Sequence, residues 1–271
     1  MPSLLHMPIF RAIDFQASAA QFRGAEPFPH ICFDDFLTPA AATAIEQAFP
    51  SFEEAQRLGQ GFRAVNERGK YQVTNSELFP EAIKVLHEEL QSPAFIEKLR
   101  ALSGYDDLVG DAELVGGGMH QTGPRGHLDV HIDFNYIKHR RLHRRLNILL
   151  FFNRDWQEAW GGLTELWDVD VKRLAHSFLP IYNRCVIFET SEISWHGVTA
   201  VTCPPDRSRK AFARDYYTPC TEEEIEANGH GTIFKARPTE RSKRYVKMPM
   251  QNVQRWLRRK INVGIKGIRG K

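Results

Sequence analysis

The sequence predicts a mainly β domain with flanking helices, an α+β chain whose core is a sandwich or barrel. Three observations lead there. Helical patterns gather before residue 104, whereas residues 108–218 read as short β-rich segments broken by turn residues. Long connections between those segments argue against a parallel sheet with regular crossover helices. Neither G-x-G-x-x-G nor G-x-x-x-x-G-K-S/T occurs, which removes the common nucleotide-binding signatures. A chain of 271 residues, 42% hydrophobic and 25% charged, suffices for one well-filled core.

In chain order, residues 29–37 alternate enough to form a strand. Thr38 then precedes Pro39 and an alanine-rich stretch to Phe49, which fits an N-cap, a proline in the first turn and a helix that Pro50 stops. Further helical patterns cover residues 80–90 and, after Ser92-Pro93, residues 93–102, with Ser103-Gly104 as the end. These helices form a support at about 38–104, outside a β core at about 105–218. Within that core the clearest strands are 128–134, 146–152, 163–167, 184–189 and 211–217. Gly116-Gly117-Gly118 precedes no helical pattern and marks a turn or a close backbone approach.

No opening stretch has the make-up of a signal peptide, and no apolar run approaches the roughly 20 residues that cross a bilayer. The expectation is a soluble cytoplasmic protein. Cys32, Cys185, Cys203 and Cys220 are widely spaced without a C-x-x-C pair, so they are expected as reduced and mostly buried thiols. The formal net charge is +3, but thirteen of the 36 basic residues lie from Lys235 onward, against the single acid Glu240. The chain therefore divides into one domain, residues 1–233, and a basic extension, 234–271. Val253, Trp256, Leu257, Lys260 and Ile261 recur at helical spacing, so residues 250–263 suit an amphipathic helix. Such a helix fits an anionic membrane surface, an acidic partner or the acidic body of the same chain. No aromatic-interleaved basic patch or nucleic-acid motif accompanies it, so nucleic acid is not an expected partner.

The chemistry concentrates in the stretch from His127 to Asn135. On a strand, His127, Asp129, His131 and Asp133 share one face, and Leu128, Val130, Ile132 and Phe134 the other. Two donors spaced i and i+2, completed by an imidazole from another strand, make a facial triad with open metal positions. Spacing alone leaves His127/Asp129 and His131/Asp133 equivalent. His127-x-x-x-His131 lacks the glutamate of H-E-x-x-H, so a zinc protease is disfavoured. Trp195-His196-Gly197 can supply the third imidazole. Arg209 opens a later strand, where its guanidinium is suited to a carboxylate.

Several ordered motifs carry a resemblance. Gly116–Gln121, His131-Ile132-Asp133-Phe134-Asn135, the run from Arg144 to Trp156, and Trp160-Gly161-Gly162-Leu163-Thr164-Glu165-Leu166-Trp167 come in that order. Asn183–Thr190, Ser194-Trp195-His196-Gly197, Arg209-Lys210-Ala211 and Tyr216-Tyr217-Thr218 follow. Together they resemble the prolyl 4-hydroxylase-like branch of the 2-oxoglutarate/Fe(II) oxygenases over roughly residues 105–218. The resemblance implies a double-stranded β-helix (jelly-roll) core. It selects His131 and Asp133, followed by Phe134-Asn135, with His196 as ligands of iron(II), and Arg209 as the anchor of 2-oxoglutarate; oxygen is the second cosubstrate. Gln121 falls where such enzymes often place a polar group near cosubstrate or substrate, with a structural hydrogen bond as the alternative. Two departures thin the cosubstrate shell: Ala211 stands where the family has a serine, and Phe151 where it has a tyrosine. Asn147 or Gln121 are the groups expected to help.

The implied reaction is hydroxylation of an unactivated C–H bond with release of succinate and carbon dioxide. Its substrate would be a small molecule, a glycan or lipid precursor, or a protein prolyl residue. The competing readings are a non-catalytic jelly-roll binding module and a cupin-like metal enzyme that uses no 2-oxoglutarate. For the tail, deletion of residues 250–271 is expected to lower co-sedimentation with anionic liposomes at low salt, and high salt should shrink the difference. Equal sedimentation of both proteins would remove the membrane role.

Overall fold

The computed structural model describes residues 8–240 together with 242 and 243. The amphipathic helix expected at 250–263 lies outside the described residues. The chain opens with α1 (Phe15–Arg23), β1 (His30–Phe33), α2 (Pro39–Ala48), α3 (Phe52–Leu58), β2 (Gln60–Arg63), β3 (Glu67–Val73), α4 (Glu81–Gln91) and α5 (Pro93–Ser103). Strands then dominate: β4 (Val109–Gly110), β5 (Gly118–Ile132), β6 (Tyr136–Ile137), β7 (Leu142–Phe151), β8 (Thr164–Trp167), β9 (Leu174–Phe178), β10 (Cys185–Glu189), β11 (His196–Val198) and β12 (Arg209–Pro219). The described part closes with α6 (Glu222–Asn228) and β13 (Ile233–Lys235).

The main path of the antiparallel sheet runs β1-β10-β7-β12-β5-β11-β8-β9, and β5 is its pivot. Residues 118–122 of β5 pair with β12, whereas residues 128–131 pair with β11. Between them Gly123 to Gly126, with Arg125 at φ 67°, turn the strand from one layer to the other. The result is a curled, strand-rich sheet of jelly-roll type, in which β1-β10-β7-β12 faces β11-β8-β9 across the interior.

Period-two alternation explains where the core sits. Leu146, Ile148 and Leu150 on β7, Cys185 and Ile187 on β10, and Phe212 and Tyr216 on β12 pack outward against α2, α4 and α5. Phe151, Val186, Phe188 and Ala211 on the intervening faces join Leu166 of β8 inside. The caps read from sequence hold the helices in place: Thr38 accepts from the Ala41 amide, Ser92 from Phe95, and Gly104 ends α5 at φ +87°. Gly118, at φ +96°, sits where a Cβ would come within 2.2 Å of the Val73 carbonyl oxygen. The triple glycine is thus a close approach of β5 to the end of β3.

Several features depart from the sequence reading. The strand expected at 128–134 is the end of the 15-residue β5, and Asp133 lies just past it. The hairpin of β2 and β3, which pairs with β5, carries no clear alternation and was not expected. Helix α3 was also missed, although its capping box, Ser51 with Glu54, is visible in the sequence. The first residues of the expected extension 234–271 pack on the domain, since β13 pairs with β5 through Ile233, Phe234 and Lys235. Two of the basic residues assigned to the extension, Arg237 and Lys243, neutralise acids of the core. A core position and an exposed one should separate cleanly in urea unfolding. Leu150→Ala, fully buried on β7, is expected to lose about 2–5 kcal/mol; Leu174→Ala, 41% exposed on β9, should stay within about 0.5 kcal/mol.

Candidate metal centre

A cavity of about 340 Å³ opens between the two layers. His131 of β5 and His196 of β11 face each other there as register partners, with ring centroids 4.2 Å apart. Asp133, just beyond β5, closes the triangle: its Oδ1 is 3.4 Å from His131 Nε2 and its Oδ2 3.4 Å from His196 Nε2. The donor atoms of the three residues all lie within 4.8 Å of one another. Each imidazole is oriented from behind by its Nδ1–H, which donates to a backbone carbonyl two residues earlier: Asp129 O for His131 and Ser194 O for His196, both at 2.9 Å. That tautomer leaves both Nε2 lone pairs facing the carboxylate, which is what a metal requires of neutral histidines.

Electrostatics support the same arrangement. Burial, with His131 beside it, lowers the His196 pKa to about 4, so its ring is neutral at ordinary pH. Burial alone would raise the Asp133 carboxyl, but Arg144, His196 and His131 outweigh it and hold the group well below the usual carboxylate range. Arg144 is itself buried between two acids. Its Nη2 lies 3.3 Å from Asp133 Oδ2 and donates to Asp215 Oδ1 at 2.6 Å, where Asn147 Nδ2 also donates. Burial lifts Asp215 to about 6 against the pull of Arg144.

Arg209 lines the same cavity and has a different character. It is 4% exposed, yet no carboxylate pairs with it among the described residues. Its Nε donates to Gly162 O at 2.7 Å and its Nη2 to Thr164 Oγ1 at 2.9 Å, and the Phe151 ring lies 4.9 Å from the guanidinium carbon. Burial brings its pKa down to about 10, which leaves it cationic at neutral pH. A buried charge without a counter-charge is costly, so the cavity is built for an anion at this end.

The structure brings together His131, Asp133, His196, Arg209 and Asn147. Asn147 reaches the cavity wall, and its Oδ1 is buried without a hydrogen-bond partner. Gln121 does not join them. It sits on the opposite face of β5, donating to Pro50 O and accepting from Ser208 Oγ, while its neighbours His120 and Thr122 line the cavity. The alternation of β5 gives it the structural role.

The single shared face expected for residues 127–133 is also corrected. A bulge between Leu128 and His131 opposes His196–Val198, so Leu128 reaches the cavity and Asp129 turns into the protein against Lys243 and Arg237. Sequence reasoning missed Arg144, Asp215, Thr164, His120 and Phe234. For the first two a signal existed: a charged residue inside an otherwise apolar strand tends to be half of a buried pair.

Comparison with known proteins agrees with this geometry. Residues 117–215 match the model of the 2OG-Fe(II) oxygenase superfamily. Over 80 residues the chain is 31% identical to the prolyl 3-hydroxylase OGFOD1 of Mus musculus, a match that takes in 28% of this chain and 14% of that protein. Two solved structures share the fold. The prolyl hydroxylase of Trichoplax adhaerens, in complex with a hypoxia inducible factor peptide fragment, has a TM-score of 0.53 and 16% identity over 79% of this chain and 93% of that one. A Pseudomonas putida prolyl-4-hydroxylase has a TM-score of 0.52 and 17% identity over 76% of this chain and all of that one.

The Arg144 network makes an ordering prediction. Arg144→Met leaves two buried carboxylates facing each other and is expected to lose about 3–5 kcal/mol in urea unfolding. Asp215→Asn keeps Arg144 paired with Asp133 and should lose less. A larger loss in Asp215→Asn than in Arg144→Met would show that Arg144 is not what balances the two acids.

Proposed function

We propose that the chain is a 2OG-Fe(II) oxygenase of the prolyl 4-hydroxylase-like type, which hydroxylates an unactivated C–H bond of an organic substrate and converts 2-oxoglutarate to succinate and carbon dioxide; the family match over residues 117–215 supports this reading. The observation that carries this reading is the convergence, in one cavity, of a His131–Asp133–His196 donor triangle and the unpaired cation Arg209. Two imidazoles and one carboxylate, with the remaining directions open to the cavity, suit iron(II). When bound, the iron supplies the redox chemistry with oxygen and 2-oxoglutarate that an unactivated bond demands.

The chain's own residues do the rest. The Asp129 and Ser194 carbonyls aim His131 and His196, and Arg144 keeps Asp133 ionised. Arg209 takes the distal carboxylate of 2-oxoglutarate through paired, charge-assisted hydrogen bonds strengthened by a dry setting. Thr164 Oγ1, which already accepts from Arg209, has its own O–H free for that carboxylate. It occupies the part played elsewhere by the hydroxyls that Ala211 and Phe151 lack. Phe62, Phe134 and Phe234 give the mouth an apolar lining that limits water.

The binding-module reading leaves the donor triangle without a use, and the cupin-like reading, which takes no 2-oxoglutarate, gives the buried charge of Arg209 no defined acid. A prolyl residue in a peptide is the first substrate to test, supported by the match to a prolyl 3-hydroxylase and by aromatic walls that suit a pyrrolidine ring.

Anaerobic addition of iron(II) and 2-oxoglutarate should give the visible charge-transfer absorption of the pair, and admission of air should give succinate. His131→Ala is expected to abolish the absorption. Arg209→Met should weaken 2-oxoglutarate binding about ten- to hundred-fold, the worth of a charged hydrogen-bonding pair. Full 2-oxoglutarate affinity in Arg209→Met would remove the anchor role, and absence of the band from the unaltered protein would remove the reading.

A further inference from the structure

The segment after β12 returns to the back of the metal centre. β13 pairs with Val130, His131 and Ile132, and the Phe234 ring lies 5.5 Å from that of His131. Two residues past β13, Arg237 is 12% exposed and reaches three strands at once. Its Nε donates to Glu165 Oε2 of β8 at 2.7 Å. Its Nη2 donates to Leu128 O of β5 at 3.3 Å and to Val198 O of β11 at 3.2 Å, and its Nη1 lies 3.6 Å from Asp129 Oδ1. Leu128 and Val198 flank the bulge, where the regular ladder is interrupted. Lys243 shares that oxygen, with Nζ 2.6 Å from Asp129 Oδ1.

We propose that Arg237 is a positioning residue for the metal centre: by gripping the Leu128 and Val198 carbonyls together with Glu165 and Asp129, it fixes the bulge that sets His131 opposite His196. The path from the guanidinium to the ligand is short. The side chain of Asp129 is drawn to Arg237 and Lys243, while the carbonyl of the same residue accepts from His131 Nδ1 and sets the plane of that ring. A planar fork with several donors suits this task, and an ammonium does not, because it lacks the fixed directions needed to serve two carbonyls and a carboxylate together. Groups behind metal ligands commonly change metal affinity by about ten- to hundred-fold when removed.

The inference rests on the metal reading above, and cobalt(II) alone is the probe that separates the two. Metal-free full-length protein is titrated with cobalt(II) against a competing chelator, following the visible absorption, and its thermal unfolding is recorded without metal. Arg237→Gln is expected to weaken cobalt(II) binding about tenfold or more and to change the intensity of the visible bands. Its metal-free melting temperature should fall, because buried Glu165 loses its cation, while the protein stays folded. Arg237→Lys should recover the melting temperature and leave the affinity weak. Cobalt(II) affinity within about twofold of the parent in both variants overturns the proposal, since a purely structural residue moves stability alone. Failure of both variants to fold overturns it as well, because Arg237 would then hold the whole barrel. No cobalt(II) binding by the parent protein overturns the metal reading, and this proposal with it.

Discussion

Between Leu128 and His131, strand β5 carries one residue more than β11 sets against it, and that insertion changes which side chains share a face. In an unbroken pleat Leu128 and His131 would lie on opposite faces. With the bulge, both reach the cavity, while Asp129 is buried behind them with 0% exposure. The displaced Asp129 serves twice: its carbonyl aims His131, and its carboxylate collects the two cations that return from the segment after β12. The facing imidazoles, the closing carboxylate of Asp133 and the attachment of β13 all depend on this local fault in the ladder.

Four arginines show how the fold distributes buried charge. Arg214, fully buried on the helix face of β12, donates to neutral acceptors through its two terminal nitrogens: His87 Nδ1, Gln91 Oε1 and the Asp111 carbonyl. Burial and the cation together lower the His87 pKa to about 4, which keeps its ring neutral and able to accept. Arg144 is balanced by Asp133 and Asp215, and Arg237 by Glu165, Asp129 and Glu240. Arg209 has hydrogen bonds but no anion among the described residues. Arg214 likewise has only neutral acceptors, so what sets Arg209 apart is its position: it lines the cavity, where an anion could reach it.

Much of this was legible in the sequence, and the limits are physical. Caps and glycines announced α2 and α5 because Thr38, Ser92 and Gly104 act on backbone within a few residues. Strands β7, β10 and β12 were visible because both faces are buried and apolar residues run together. The hairpin of β2 and β3 was not visible, because its residues are largely exposed and its stability comes from pairing with a strand far along the chain. Within the site, residue types at fixed spacing pointed to a triad, but spacing could not choose between two pairs. The bulge that separates Asp129 from His131 follows from tertiary pairing, not from any local signal. The placement of Gln121 turned on the same point: a single step along β5 decides between cavity and core, and its phase is set by partners on β3 and β12.

The cavity is assembled from two kinds of sequence. The candidate metal donors, Arg144, Asn147, Thr164 and Arg209 lie within residues 117–215, all but Asp133 on strands paired on both sides and therefore hard to move. Phe62, Glu67, Lys70, Gln72, Thr232 and Phe234 line the same space from outside that stretch, on or beside β2, β3 and β13. Among the described residues β2 pairs with β3 alone, whereas β3 and β13 both pair with β5. The candidate donors and part of the cavity lining are carried by separate stretches of chain, so likeness in the core bears on chemistry more directly than on substrate. Arg237 joins the two, since a residue of the outer segment grips the bulge on which the inner geometry rests.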